Sequence, residues 1–192
     1  MRCADYRANR RIAVLPDSAF APLFHQTAHY FVHGLTVFQN QVLNFRTRRV
    51  GRLDKDSVGL LIITDDGELA HSLMSPKKHV DKCYFARCAG EVPASAIQAF
   101  REGVELPDGL SCLPAALEIL GVSEEEGKTV TEINLTIREG KFHQVKRMME
   151  AVGCPVLYLK RMTMGPLTLD DTLAPGDYRP LTEKELESLK QV

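Results

Sequence analysis

The spacing of apolar and polar residues predicts alternating strands and helices from residue 46 onward. An apolar run at 58–63, interrupted only by Gly59, predicts a buried strand that ends at a turn at 65–67. Apolar and polar positions alternate at 80–89, which predicts a second strand. Similar patterns predict further strands at 113–120, 130–138 and 156–162.

Helical patterns lie between and after these strands. Helices are predicted at 68–75, 93–103 and 143–152, and a capping box at 182–185 predicts a terminal helix. The strands and helices follow one another without a regular βαβ alternation. The fold class is therefore predicted to be α+β, with a mixed, largely antiparallel sheet and flanking helices.

The first 45 residues lack such periodicity, and we interpret them as an atypical N-terminal segment before a main domain at 46–192. His25, His29 and His33 recur at a spacing that would place them on one face of a helix. No Cys, Asp or Glu accompanies them as a further zinc ligand, so a chance or structural stripe is the favoured interpretation. A small metal-binding regulator is the alternative.

The net charge of −1 conceals an uneven distribution of charged residues. Residues 1–90 carry 13 Lys and Arg against 8 Asp and Glu, a balance of +5, and residues 128–161 carry 7 against 3, a balance of +4. Residues 91–127 carry 1 against 8, a balance of −7. Folding could gather the basic stretches into a face that attracts nucleic acid, although ordinary solvated surfaces would give the same pattern.

The sequence gives no sign of export or membrane insertion. The five cysteines form no CxxC pair, which is typical of reduced thiols in a cytosolic protein. No apolar run is long enough to span a bilayer, and Pro16, Asp17 and Pro22 interrupt the stretch where a secretory signal would be continuous. We expect a cytoplasmic protein without a membrane partner.

Asp54 begins a D-x-D-x-x-G segment that superficially matches a calcium-binding loop. The match fails, because Val58 offers no side-chain oxygen at the fifth position and Asp65 stands where a bidentate Glu is needed. In an extended chain Arg52 and Asp54 project to one face, where the cation favours an ionised carboxylate. On spacing alone a structural ion pair at the strand entrance is favoured, and a catalytic carboxylate is the alternative.

A second basic segment lies at 138–149, where a glycine turn leads into the predicted helix. Its first two turns carry His143, Lys146 and Arg147. Because Lys146 and Arg147 are adjacent, only one of them can face inward while the other points toward solvent or phosphate. A solvated basic helix face is the alternative interpretation.

Four segments together resemble the RsuA-like family of ribosomal RNA pseudouridine synthases. VGRLDKD with the following GLL and TDDG, at 50–67, resembles the catalytic motif of that family, and KCY at 82–84 resembles its second motif. EGKFHQVKRM at 139–148 resembles the third, and GPL with LAPGDYRPLT, at 165–182, resembles the C-terminal signature. The resemblance extends over about residues 48–189, with the motifs in the order of the family.

The resemblance implies a pseudouridine synthase-like catalytic domain and an isomerase that detaches uracil from ribose and rejoins it through C5. It implies no cofactor and no metal, and it implies ribosomal RNA or a ribosomal subunit precursor as the partner. Asp54 would be the catalytic carboxylate, either attacking the sugar carbon or removing a ribose proton. We expect a monomer.

The same resemblance assigns roles to the other candidate residues. Tyr84 would pack against the target base, keep the pocket dry and assist proton removal at C5. Lys146 would be the basic partner of the catalytic Asp, with Arg147 as the alternative. Arg52 would fill the space left by the extruded nucleotide or grip its phosphate, and His143 would be structural or would contact RNA.

The N-terminus departs from the pattern of the family. Members usually begin with a small RNA-binding domain, followed by a strand with an Asn/Asp-Lys-Pro-x-Gly-like segment, and residues 1–45 contain neither. We therefore expect the sheet to lack an edge strand that normally flanks the cleft. A catalytically impaired RNA-binding relative is the alternative to an active enzyme.

Overall fold

The structure, a computed structural model, describes residues 11–15 and 48–192 apart from Pro107 and Pro175. The strands of this part are β1 (Arg11–Leu15), β2 (Arg48–Val50), β3 (Ser57–Thr64), β4 (Lys82–Ala89), β5 (Ala116–Glu125), β6 (Lys128–Ile137), β7 (Val156–Met164), β8 (Leu167–Thr168) and β9 (Tyr178–Pro180). The helices are α1 (Gly67–Met74), α2 (Ser95–Glu102), α3 (Gln144–Ala151) and α4 (Glu183–Lys190), and a 3-10 turn covers Pro76–Lys78. No helix of these residues is both long enough and apolar enough to cross a bilayer.

All of these strands belong to one sheet, in the order β5-β6-β4-β7-β3-β1-β9, with β2 added to β3 and β8 added to β7. β3 and β7 run parallel. Every other strand pair within the described residues is antiparallel. The predicted α+β class with a mixed, largely antiparallel sheet is confirmed.

Local sequence chemistry sets the ends of several elements. The Asp66 side chain accepts a hydrogen bond of 2.9 Å from a backbone N–H in the first turn of α1 and so caps that helix. Thr182 and Glu185 form the predicted capping box at the start of α4. β5 and β6 are joined through Glu126 and Gly127, whose φ angles of 50° and 73° suit a two-residue hairpin turn.

Two main hydrophobic cores lie along the sheet in the described part of the chain. The first, which we call the large core, packs α2 and α3 against β4–β7, and Phe100 and Met148 are fully buried in it. The second, the small core, packs α1 and α4 against β2 and β3 around Leu60, Ile62 and Leu73. Each such side chain contributes about 1.5–3 kcal/mol when it is removed from water.

β3 and β7 meet between the two cores, in a contact of residues 57–59 with 159–161 that we call the seam. Gly59 lies opposite Arg161 with a φ angle of 105°. A Cβ atom added to Gly59 would lie 2.4 Å from the carbonyl oxygen of Arg161, which no real side chain tolerates. The seam therefore depends on the absence of a side chain at this position.

Four short strands, β1, β2, β8 and β9, are missing from the sequence-based prediction. Runs of two to five residues show little periodicity of their own, and they become strands only by pairing with longer neighbours. β1 lies within the N-terminal segment and pairs with β3 and β9, so this segment supplies an interior strand of the sheet. His25, His29 and His33 lie outside the described residues, and the boundary at residue 45 stays a prediction.

Arg179 ties the C-terminal part of the chain together. Its guanidinium contacts the carboxylate of Asp170 and donates two hydrogen bonds, of 2.8 and 2.9 Å, to the carboxylate of Glu185 in α4. Hydrogen bonds from Thr172 and Arg179 lower the pKa of Asp170 to about 2. The hydrogen bond from Arg179 lowers the pKa of Glu185, also to about 2. Both carboxyls therefore stabilise the fold only when they are ionised.

We predict that Gly59→Ala strongly destabilises the protein, by about 3 kcal/mol or more, since it combines a backbone clash with a strained φ angle. Urea unfolding followed by circular dichroism measures the change. Gly67→Ala is the matched control, because no atom lies within 4 Å of a Cβ atom there and the residue begins a helix. Equal stability of the two variants would contradict the account of the seam.

We predict that the stability difference between wild type and Arg179→Met depends on pH. The ordinary pKa values of the two carboxyls are 3.8 and 4.5, and the folded values are about 2. The wild type should therefore be more stable above about pH 4.5, and its advantage should disappear as the pH falls toward 2. Thermal unfolding between pH 2 and pH 7 tests this, and a difference that is constant over the range would contradict it.

Candidate active site

A short loop at 51–56 joins β2 to β3 and carries Asp54. The loop leaves the small core after Val50, which is fully buried, and Gly51 begins it with a φ angle of 77°. The backbone N–H of Ser57 donates a hydrogen bond of 3.1 Å to the carbonyl oxygen of Asp54, which turns the chain into β3. About a quarter of the Asp54 side chain (26%) remains exposed. Asp54 is thus held beside the seam and open to solvent.

Arg161 lies buried beneath this loop, with only 2% of its surface exposed. Its Nε donates a hydrogen bond of 2.7 Å to the carbonyl oxygen of Leu60, and its Nη1 lies 3.8 Å from the position of a Cβ atom on Gly51. The Nη2 atom is buried and has no hydrogen-bond partner among the described residues. A buried cation with an unused donor therefore supports the loop from below.

The turn before α3 is held by a buried polar cluster. The Gln144 side chain donates a hydrogen bond of 2.8 Å to Glu139 and accepts one of 3.0 Å from the backbone N–H of Lys141. Glu139 also accepts a hydrogen bond of 2.8 Å from the backbone of Leu113 and pairs with the Lys141 ammonium at 2.9 Å. These bonds hold His143, just before the helix, at a φ angle of 48°.

His143 is the residue that the structure brings to Asp54. Its Nε2 atom lies 3.6 Å from Oδ1 of Asp54, close enough for an ion pair when the imidazole is protonated. The two side chains lie on segments anchored in different cores, Asp54 on the loop that leaves the small core after β2 and His143 on the turn before α3 of the large core. This pairing links the first and third predicted motifs in space.

The predicted pair of Lys146 with Asp54 is not formed in the structure. The Lys146 ammonium contacts the carboxylate of Asp56, and this hydrogen bond lowers the pKa of Asp56. Lys146 lies in the first turn of α3, where it reaches the later part of the loop, and His143 takes the place next to Asp54. The adjacent Arg147 points elsewhere and pairs with Asp108. The two neighbouring cations thus pair with different acids, and their side chains are about equally exposed.

Tyr84 and Arg52 complete the predicted set. Tyr84 is half-buried in β4 against the large core, directly across from Arg161 in β7. Side chains of opposed residues project to the same face of a sheet, so Tyr84 and Arg161 share one face. Arg52 is exposed on the loop, two residues before Asp54. In the same part of the sheet, burial and the charge of Arg161 lower the pKa of Lys82.

Sequence reasoning missed two residues of this site, Arg161 and Phe142. Arg161 follows Lys160 in a strand pattern, and an arginine within an otherwise buried strand was the available signal. Phe142 stands within the third motif but received no role, although an aromatic residue between Lys141 and His143 in a turn is unusual for a core position. The described residues contain no group of three or more His, Cys, Asp or Glu side chains placed to hold a metal ion.

Comparison with known proteins identifies the family and the fold. The family model described as RNA pseudouridylate synthase matches residues 33–151, a range that includes Asp54, Tyr84, His143 and Lys146. The chain belongs to this family. A crystal structure of a pseudouridylate synthase is similar to the chain with a TM-score of 0.75 and 33% sequence identity, over 95% of this chain and 74% of that chain.

Curated relatives agree with the RsuA-like resemblance, which is confirmed. An RNA pseudouridine synthase of Bacillus subtilis (strain 168) is 48% identical over 149 residues, which are 78% of this chain and 61% of the relative. The ribosomal small subunit pseudouridine synthase A of Escherichia coli (strain K12) is 39% identical over 166 residues, which are 86% of this chain and 65% of the relative. The chain thus spans just under two thirds of the length of these relatives.

We predict that Gln144→Ala destabilises the protein by about 2–3 kcal/mol, because it leaves buried polar groups of the α3 turn without partners. Chemical denaturation measures the loss. Gln98→Ala, on the exposed face of α2, is the matched control and should change stability by less than about 0.5 kcal/mol. If both variants are equally stable, the polar cluster does not hold the turn.

Proposed function

We propose that this chain is an RNA pseudouridine synthase that isomerises a uridine of small-subunit ribosomal RNA to pseudouridine. The observation that carries the proposal is the position of Asp54. Its carboxylate is partly exposed and lies 3.6 Å from His143, on a loop whose first residue, Gly51, lies against the buried Arg161. Charged groups held in this way need no reorganisation when a substrate arrives, which favours catalysis by positioning.

The proposed reaction breaks the bond between N1 of uracil and C1′ of ribose and forms a bond between C5 and C1′. The proton on C5 is lost and N1 gains one, so the product is an isomer and no cofactor or metal is required. Asp54 either attacks the sugar carbon or removes a ribose proton. Neither reaction can take place within a stacked helix, since the enzyme must reach both sides of the base, so the uridine is extruded.

The other site residues would position the extruded nucleotide. The Tyr84 ring, beside Arg161, would pack against the base, exclude water and assist proton removal at C5. Arg52, exposed two residues before Asp54, would bind a phosphate or fill the space left by the base. Lys146 would hold the loop through Asp56, and His143 would orient Asp54. Arg147 lies on the flank of the site.

Ribosomal RNA of the small subunit is the substrate that the names of the relatives suggest. The charge distribution supports an RNA partner, because the basic α3 lies at the loop of Asp54 whereas Glu124–Glu126 are exposed at the tip of the β5–β6 hairpin. A cytoplasmic location and a monomeric state remain predictions.

We predict that Asp54→Asn lowers turnover by about 100-fold or more while RNA affinity changes little, because the carboxylate offers no attraction to phosphate. Release of tritium from small-subunit rRNA transcripts labelled at uracil C5 measures turnover, and filter binding measures affinity. Transcripts of large-subunit rRNA run in parallel test the choice of substrate.

Asp171→Asn is the matched control, since Asp171 is exposed in a turn and none of the candidate site residues lies near it in the sequence. It should release tritium at the rate of the wild type. If the wild type releases no tritium from either RNA, the enzyme proposal is contradicted and an impaired RNA-binding relative is favoured. A large loss of affinity in Asp54→Asn would instead give Asp54 a structural role.

A further inference from the structure

Phe142 is the most exposed large hydrophobic residue of the described part of the chain. Its exposed fraction is 76%, compared with 61% for Leu157 and 52% for Val122. Single exposed apolar side chains are common and need no explanation by themselves. The surroundings of Phe142 distinguish it from the others.

The ring of Phe142 stacks on the imidazole of His143, with the ring centroids 3.8 Å apart and the planes inclined by 18°. One ring face is therefore covered, and most of the exposed surface belongs to the other face and the edges. The backbone is held as well, since Arg147 donates a hydrogen bond of 3.4 Å to the carbonyl oxygen of Phe142. The turn thus presents a flat apolar face to solvent in a fixed orientation.

This open face lies one side chain away from Asp54. The Phe142 ring contacts His143, and Nε2 of His143 lies 3.6 Å from Oδ1 of Asp54. A nucleobase on the open face would complete a stack of three flat groups, namely the base, the Phe142 ring and the His143 imidazole. The imidazole in turn lies next to the Asp54 carboxylate. That stacking site is next to the position of the reacting uridine and separate from it.

Three cations lie beside this face. Lys141 precedes Phe142 and pairs with Glu139, and Arg147 follows in α3 and pairs with Asp108. Arg52 is exposed on the facing loop and pairs with no acid of the described residues, so its charge is open to a phosphate. An aromatic platform flanked by cations is the arrangement by which proteins bind single-stranded nucleic acid, since every base has a face that can stack.

We propose that Phe142 is a positioning residue that stacks on the nucleobase next to the target uridine. The inference rests on the proposed function, because it takes the uridine to be the nucleotide at Asp54. When the uridine leaves the helix, its neighbour loses a stacking partner, and the open face of Phe142 replaces that partner. The Phe142 ring can stack on the base of any nucleotide. The residue therefore contributes to RNA affinity and to the alignment of the RNA in the site, and it contributes little to the choice of base.

The test compares Phe142→Ala, Phe142→Leu and Phe142→Trp in the full chain, with small-subunit rRNA transcript as the probe. We expect Phe142→Ala to weaken RNA binding by roughly 10- to 100-fold, Phe142→Leu to lose most of the same affinity, and Phe142→Trp to keep it. The slope of log affinity against log salt should stay unchanged, since no phosphate contact is removed. Unchanged thermal unfolding verifies that the variants fold.

Val122→Ala is the matched control. Val122 is an exposed apolar residue on β5, close to the acidic tip of the hairpin, where phosphate would be repelled. Its removal should not alter affinity. Wild-type affinity in Phe142→Ala would overturn the proposal, and so would a fall in kcat with KM unchanged, which would show that the ring acts only by supporting His143.

Binding by Asp54→Asn with and without Phe142→Ala separates this inference from the proposed function. A loss of affinity on adding Phe142→Ala to that background supports stacking, even if the wild type releases no tritium. Tritium release with an unchanged KM in Phe142→Ala would leave the enzyme proposal standing and refute the stacking role.

Discussion

The close approach of β3 and β7 at Gly59 is the constraint on which the rest of the structure depends. The parallel contact brings two backbones together at a point where no Cβ atom fits, and it joins the large core to the small core. The burial of Arg161 is a consequence of this constraint, because Arg161 lies on the strand that makes the contact and its guanidinium is covered by the loop of Asp54. The hydrogen bond from Arg161 to the carbonyl oxygen of Leu60 offsets part of the cost of removing the cation from water.

The same contact explains why the site combines residues that are distant in sequence. The loop of Asp54 continues from the small core, and the α3 turn with His143 is anchored in the large core by the Gln144 cluster. The two meet only because the seam aligns β3 with β7, while β4 places Tyr84 opposite Arg161. Electrostatic complementarity then pairs each acid of the loop with a base of the turn or helix.

Long elements and local motifs could be predicted from the sequence, because their signals are local. The buried pattern of β3, the alternation of β4 and the capping box at Thr182 are examples. Contacts made by tertiary structure could not be predicted in the same way. The exchange of partners, in which His143 faces Asp54 and Lys146 faces Asp56, depends on the angle between the loop and α3, and no spacing encodes it. The burial of Arg161 depends likewise on strand pairing.

The 3.6 Å separation of Asp54 and His143 is set by neither core on its own. The loop of Asp54 continues from the small core and the turn of His143 is anchored in the large core, so this gap is a distance measured across the seam. A substitution in either core that shifted β3 relative to β7 would therefore change the distance between acid and base, even if it lay far from both residues. The alignment of two neighbouring strands thus sets both the packing of the sheet and the geometry of the candidate site.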